Sequence, residues 1–281
     1  MTSRTRSRAA VGQARRTRPV RRNSPRLSPV RAGAALAMLA SAAAVYGVGA
    51  SPAFEAVAVD LAGIRYSDET ELRRRLAIPE GTNLFGLATD SLEARLLEVP
   101  TVARASVSVR LPGTVVVEID ERDPILVWQV GERRLLTDRD GTLFAPLPAR
   151  PGSEAAALPV VVDRRAPSAE YGVGSRLDPV DLDAATRLAS LRPVDVGSAA
   201  TSLAVELSDE QGFVLLAARA GWSAVFGFYT PSLRTPEMIP SQVRLLASLL
   251  LERGERNVQR VVLASETDGT FTTPLPTATA R

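Results

Sequence analysis

Leu97–Pro124 reads LEVPTVARASVSVRLPGTVVVEIDERDP. Val102–Arg110 alternates in the two-residue period of a half-buried strand, Leu111–Pro112–Gly113 supplies a turn, and Thr114–Glu121 returns in the same period. The expectation is an antiparallel hairpin with Val107 and Val109 on one face. Pro100 closes the segment before the hairpin, and Asp123–Pro124 marks the break after it.

Upstream, Thr89–Val99 has helical spacing, with Leu92, Leu96 and Val99 inward and Asp90 with Glu93 as a capping pair. Asn83–Leu84–Phe85–Gly86–Leu87 is an apolar connector. Asp68–Ala77 predicts another helix, with Asp68 and Glu71 as a capping box and Leu72 and Leu76 four residues apart on one face. Ala56–Leu61 predicts a short strand, with Gly63 as its turn. The order is β-α-α-β-β over about 70 residues, the size of a small domain.

The first 54 residues hold ten Arg and no Asp or Glu. Within them, Ala32–Ala50 is an uncharged run of 19 residues, nine of them Ala and three Gly. As a helix it covers roughly 28 Å, close to a hydrocarbon core. The reading is a disordered basic cytoplasmic tail (1–31) and one transmembrane helix (32–50), with the remaining chain outside, because cationic segments are retained on the cytoplasmic side. A signal peptide cleaved after Val48–Gly49–Ala50 and a buried soluble helix are the alternatives.

All 34 basic residues are Arg, against 31 Asp and Glu; past the tail, 24 Arg face those 31 acids, a net charge of −7. The basic balance therefore belongs to the tail and does not argue for nucleic acid. The chain has no Cys, His or Lys. That excludes disulfides, thiolate nucleophiles, Cys/His metal centres, Ser–His–Asp triads and Schiff-base chemistry. No cofactor, metal ligand, catalytic residue or small-molecule substrate is expected. Asp138–Arg139–Asp140–Gly141 lacks the closing Glu of a calcium loop and reads as a hairpin turn. Gly221–Trp222–Ser223 lacks the last glycine of a nucleophile elbow. Asp178, Asp181 and Asp183 fit a helix start. A carboxylate pair is the one catalytic scheme left open.

After Asp123, strands are expected at Ile125–Val130, Arg134–Thr137, Thr142–Phe144 and Val160–Asp163, with a Pro-rich surface loop at Ala145–Pro159. Asp178–Leu191 reads as a helix with Leu182, Ala185 and Leu188 inward. Leu203–Leu207, Phe213–Ala218 and Trp222–Phe226 form a meander. Pro236–Arg253 is a long amphipathic helix, Val258–Leu263 the last clear strand, and Thr270–Thr273 an added edge. The fold class is α+β: a β-α-α-β-β domain (54–122), then a mixed β domain with two helices (123–275) and a loose tail (276–281).

Phe54–Phe144 resembles the extracytoplasmic part of the FtsQ/DivIB bacterial cell-division proteins. The resemblance rests on an ordered set of short motifs. Phe54–Val57 with Val59 and Gly63 matches the family's opening strand, and Asn83–Leu84–Phe85 its "N-L-F" connector. Leu97–Ala105 matches the helix end and strand start, Arg110–Thr114 the turn, Val117, Ile119, Glu121, Arg122 and Pro124 "V-x-V-x-E-R-x-P", and Asp138, Gly141 and Phe144 "D-x-x-G-x-x-F".

The resemblance implies a POTRA domain next to the membrane and a second, β domain that binds small single-pass partners (FtsB/FtsL-like) by adding a strand to its late edge. It points to Val258–Leu263 and Thr270–Thr273, with Val261, Val262, Leu263 and Phe271 as partner-binding residues. The family's "D-L-R" is replaced here by Val262–Leu263–Ala264. The implied function is a non-enzymatic scaffold of the division septum. Rival readings are a POTRA-bearing membrane assembly or translocation factor and a carboxylate-dependent envelope hydrolase.

Overall fold

The computed structural model describes residues 28–49 and 51–273. The basic tail through residue 27, Ala50 and the final residues from Pro274 lie outside that range. The chain divides into a unit ending at Ser51 and a second unit beginning at Pro52.

In the first unit, α1 spans Pro29–Gly49. Ser28 sets its start: its Oγ accepts from the Arg31 N–H and its carbonyl from Ala32, with Pro29 in the first helical position, where a missing donor costs nothing. The helix thus begins before the expected Ala32, because the cap rather than hydropathy fixes the first turn. Pro29–Gly47 has a mean hydropathy of 1.4 over a span-length window. It is one N-terminal apolar helix long enough to cross a membrane.

The second unit begins with a three-stranded sheet. β1 (Ala58–Ala62), β2 (Val102–Arg110) and β3 (Thr114–Glu121) stand in the order β1-β3-β2, with β1 parallel and β2 antiparallel to β3. α2 (Glu69–Leu76) and α3 (Thr89–Leu97) cover one face. Leu72, Leu76, Leu92 and Leu96 meet Val107, Val115, Val117 and Ile119 in one core. The expected hairpin is present in full, but Val109 is 41% exposed. It shares Val107's face yet ends an edge strand, whereas its partner Val115 lies on the central strand and is buried.

Two capping expectations are corrected. Asp68 caps α2 as expected, accepting from Thr70 and Glu71, but Glu71 does not reach back; it pairs with Arg74 and Arg75. Asp90 and Glu93 do not cap α3. The helix ends at Leu97 rather than Val99, and the Glu93 carboxylate accepts the Val107 N–H of edge strand β2 at 2.7 Å.

Gly63 shows why this sheet tolerates no side chain at its first turn: φ is +89°, and a Cβ would lie 1.9 Å from the Ile119 carbonyl oxygen. The chain then passes over the end of β3, where the buried Glu121 carboxylate accepts the backbone N–H groups of Arg65, Tyr66 and Ser67 at 2.6–2.8 Å. Arg122 comes next, donating to the Pro100 carbonyl and pairing with Asp138 at 2.5 Å. The Tyr66 ring meets Phe144 edge-on at 5.6 Å. These contacts join the first sheet to the next.

That next sheet has nine strands: β4 (Leu126–Val130), β5 (Arg133–Thr137), β6 (Leu143–Pro146), β7 (Val160–Asp163), β8 (Leu203–Ser208), β9 (Gly212–Ala217), β10 (Ser223–Gly227), β11 (Arg260–Leu263) and β12 (Gly269–Thr272). Their order is β12-β11-β10-β9-β8-β7-β4-β5-β6. Pairs β4–β7, β7–β8 and β10–β11 are parallel. The expected loop at Ala145–Pro159 is partly ordered structure, since β6 runs to Pro146 and a short α4 forms at Ser153–Ala156.

α5 (Pro179–Ala189) carries the chain from β7 to β8, and α6 (Ile239–Arg253) from β10 to β11. Both lie on one face, over a core containing Trp128, Leu188, Phe213, Trp222, Phe226, Leu246 and Val261. At α5, Asp178 caps Val180 and Asp181, while Asp181 and Asp183 pair with Arg165 and Arg187. Burial raises the Asp181 carboxyl above its ordinary range against the pull of Arg165. Asp138 accepts from Asp140 and Thr142 and closes the β5–β6 turn, as expected for a hairpin.

Candidate functional site

A sheet that receives another strand must present an edge without one. The nine-stranded sheet ends in β6 on one side and β12 on the other. The two ends differ. Beside β6, the segment 174–177 donates and accepts: Leu143 N–H bonds the Ser175 carbonyl, Gly174 N–H bonds the Leu143 carbonyl, and Thr142 and Arg176 form an antiparallel bridge. Beside β12, no strand pairs with the outer side among the described residues.

β12 is held from within. Its register on β11 is Arg260↔Thr272, Val261↔Phe271, Val262↔Thr270 and Leu263↔Gly269. Side chains alternate across it. Phe271 lies on the helical face, half-buried, with the Arg253 guanidinium 4.9 Å from its ring centre. Thr270 and Thr272 are exposed on the opposite face beside Val262, which is 37% exposed. Val261 and Leu263 point into the core and are buried. Of the four residues singled out in the sequence, Phe271 belongs to the edge strand and Val261–Leu263 to the strand behind it. β11 has neighbours on both sides, so its backbone is already paired.

The rigidity of this end comes from residues with no signature in sequence spacing. Arg234, on the loop before α6, donates to the carbonyls of Phe226 (2.6 Å), Leu263 (2.7 Å) and Ala264. One guanidinium thus caps the carboxyl ends of β10 and β11. Gln242, fully buried on α6, accepts from the Tyr229 hydroxyl at 2.7 Å, and burial raises that phenol's pKa. At the other end of α6, Glu255 accepts from Ser198, Ala199 and the Trp222 indole. Burial would raise its carboxyl, but these hydrogen bonds outweigh that and hold it below the ordinary range.

A second feature is the cleft between the two sheets, about 670 Å³, lined by Arg65, Arg104, Asp120, Glu121, Arg122, Asp123, Asp138 and Asp140 among others. Several of its charges are committed to one another through Arg65–Asp123, Arg104–Asp120 and Arg122–Asp138. Its chemistry is that of a clamp between sheets.

A β-α-α-β-β unit of order β1-β3-β2, with both helices on one face, defines a POTRA domain, and one apolar helix of membrane-spanning length precedes it in the chain. Residues 54–122 match the model of the "POTRA domain, FtsQ-type". The chain is similar to three proteins named Cell division protein FtsQ. That of Myxococcus fulvus is 35% identical over 34% of this chain and 33% of the relative. That of Mycolicibacterium smegmatis is 32% identical over 50% and 43%, and that of Mycobacteroides abscessus 39% over 27% and 25%. The chain thus carries an FtsQ-type POTRA domain. The match spans less than half the length of each of these relatives.

Proposed function

We propose that the chain is a non-enzymatic scaffold of the bacterial division septum. A single N-terminal helix anchors it in the cytoplasmic membrane, with the basic tail in the cytoplasm. Outside, the β12 edge takes a strand from a small single-pass division protein of the FtsB/FtsL kind. The open edge beside Phe271 carries this reading. An extended segment laid along β12 gains main-chain hydrogen bonds, with alternate side chains falling beside Arg253 and Phe271 on one face and Val262 on the other. The family's cell-division names and the positive-inside pattern of the tail support the setting.

Val262→Asp places a charge on the exposed face without entering the core. It weakens capture of an FtsB/FtsL-like partner by the full chain about ten-fold or more, the scale of a central interface contact. Phe271→Asp does the same, and Val173→Asp, exposed beside the opposite, β6 end of the sheet, leaves capture unchanged. Equal capture by all three variants sinks the edge-strand reading. A fluorescent fusion that labels the envelope uniformly, with no midcell band, sinks the septal one.

A further inference from the structure

We propose that the aromatic pair Phe54–Phe85 and the neighbouring Val57 and Leu111 form a lipid-contacting tip, through which the POTRA domain rests in the headgroup layer of the membrane. The two rings meet edge-on with centres 5.1 Å apart. Phe85 is 60% exposed, Val57 86% and Leu111 50%. Such side chains gathered on one element cluster signal a surface that is covered in use.

Three segments lie side by side here. Glu55 bridges to Asn83, Ala56 N–H donates to Thr82, and Val57 and Ala58 N–H both donate to the Gly113 carbonyl. The tip is built, not frayed. Asn83 Oδ1 accepts the Phe85 N–H at 2.9 Å and fixes a single 3-10 turn, Leu84–Gly86, which buries Leu84 and leaves Phe85 outward.

Two observations select lipid as the occupant. The first is tether length. Phe54 comes five residues after Gly49, the last residue of α1, and five residues extend to at most roughly 18 Å. A headgroup layer is several ångströms deep on each side of the hydrocarbon core, so the tip stays within its reach. The second is charge. In a chain with 23% charged residues, the stretches 51–59, 82–89 and 111–117 contain one charge, Glu55. Charges are costly where apolar side chains enter the membrane interface, and this depletion continues from the uncharged run Ala32–Ala50 that precedes it.

The inference rests on α1 being a retained anchor, and the experiment separates the two. The full chain is reconstituted in phosphatidylcholine vesicles, and Phe85→Trp is compared with Leu233→Trp. Vesicle flotation reads the anchor. Quenching of the introduced indole by brominated lipid reads the tip, after subtraction of the unmodified chain with its buried Trp128 and Trp222. The expected result is blue-shifted, strongly quenched emission for Phe85→Trp and unquenched emission for Leu233→Trp. Val57→Trp repeats the test with Phe85 in place.

Flotation without selective quenching overturns the tip and leaves the anchor standing. Loss of flotation overturns both. A blue shift that grows with protein density and is insensitive to brominated lipid assigns the surface to a second copy of the chain and overturns the lipid proposal.

Discussion

Glu121 is the residue on which the junction between the two sheets turns. It is 6% exposed and accepts three backbone N–H groups, from Arg65, Tyr66 and Ser67. Glu121→Ala strands all three donors at once. Hydrogen bonds to a charged acceptor contribute about 1.5–3 kcal/mol each, so the gross loss for three is about 4.5–9 kcal/mol. Residues 65–67 are only partly covered, and water reaching their amides recovers about half of it. The expected cost is about 3 kcal/mol, or a fall in Tm of about 6–12 °C for a unit of this size. Glu121→Gln keeps the shape but turns an NH2 toward donors, and should cost about 2 kcal/mol. Calorimetry of the full chain in detergent measures both. A loss below about 1 kcal/mol for Glu121→Ala, or full stability for Glu121→Gln, would refute the assignment of this carboxylate as the organiser of the turn.

Gly63→Ala puts a Cβ 1.9 Å from the Ile119 carbonyl oxygen at a φ of +89°, and should unfold the first sheet or cost more than about 2 kcal/mol by urea titration. Leu96→Ala empties a fully buried site against the first sheet, at about 2–5 kcal/mol, measured in the same titration. Glu255→Gln weakens the tie among Ser198, Ala199 and Trp222 by about 1–2 kcal/mol at neutral pH. Because the folded carboxyl sits below its ordinary range, its stabilisation is full above the unfolded pKa and fades as pH falls through the folded one. The stability gap between the parent chain and Glu255→Gln should therefore shrink from about pH 7 to about pH 3, and a constant gap contradicts the linkage.

The elements most legible in the sequence are those whose signals are local. The 102–121 hairpin emerges residue for residue because alternation, turn and period all lie within one stretch. Asp68 and Asp178 cap their helices as expected because a cap needs only the next turn. Glu93 departs from expectation for the opposite reason. Its spacing from Asp90 suits a cap, but the carboxylate takes an edge-strand donor instead, and that donor, Val107 N–H, becomes its neighbour only after folding. Val109 shows the same limit: alternation fixes its face, not whether its strand is central. At β11 and β12 the sequence identifies strands without their neighbours. Arg234, which closes the ends of β10 and β11, sits in a loop like any other Arg until three carbonyls converge on it.

The unequal ends of the nine-stranded sheet bear on counting. A sheet open at both ends is a polymerisation unit, since each copy can donate at one end and accept at the other. Here the segment 174–177 blocks the β6 end. Two copies could meet only open end to open end, which closes the pair and stops further growth. Among the described residues the sheet has one edge left open to a further strand. If β12 takes a strand as proposed, this sheet holds a single added strand, and its occupancy counts partners rather than growing with them.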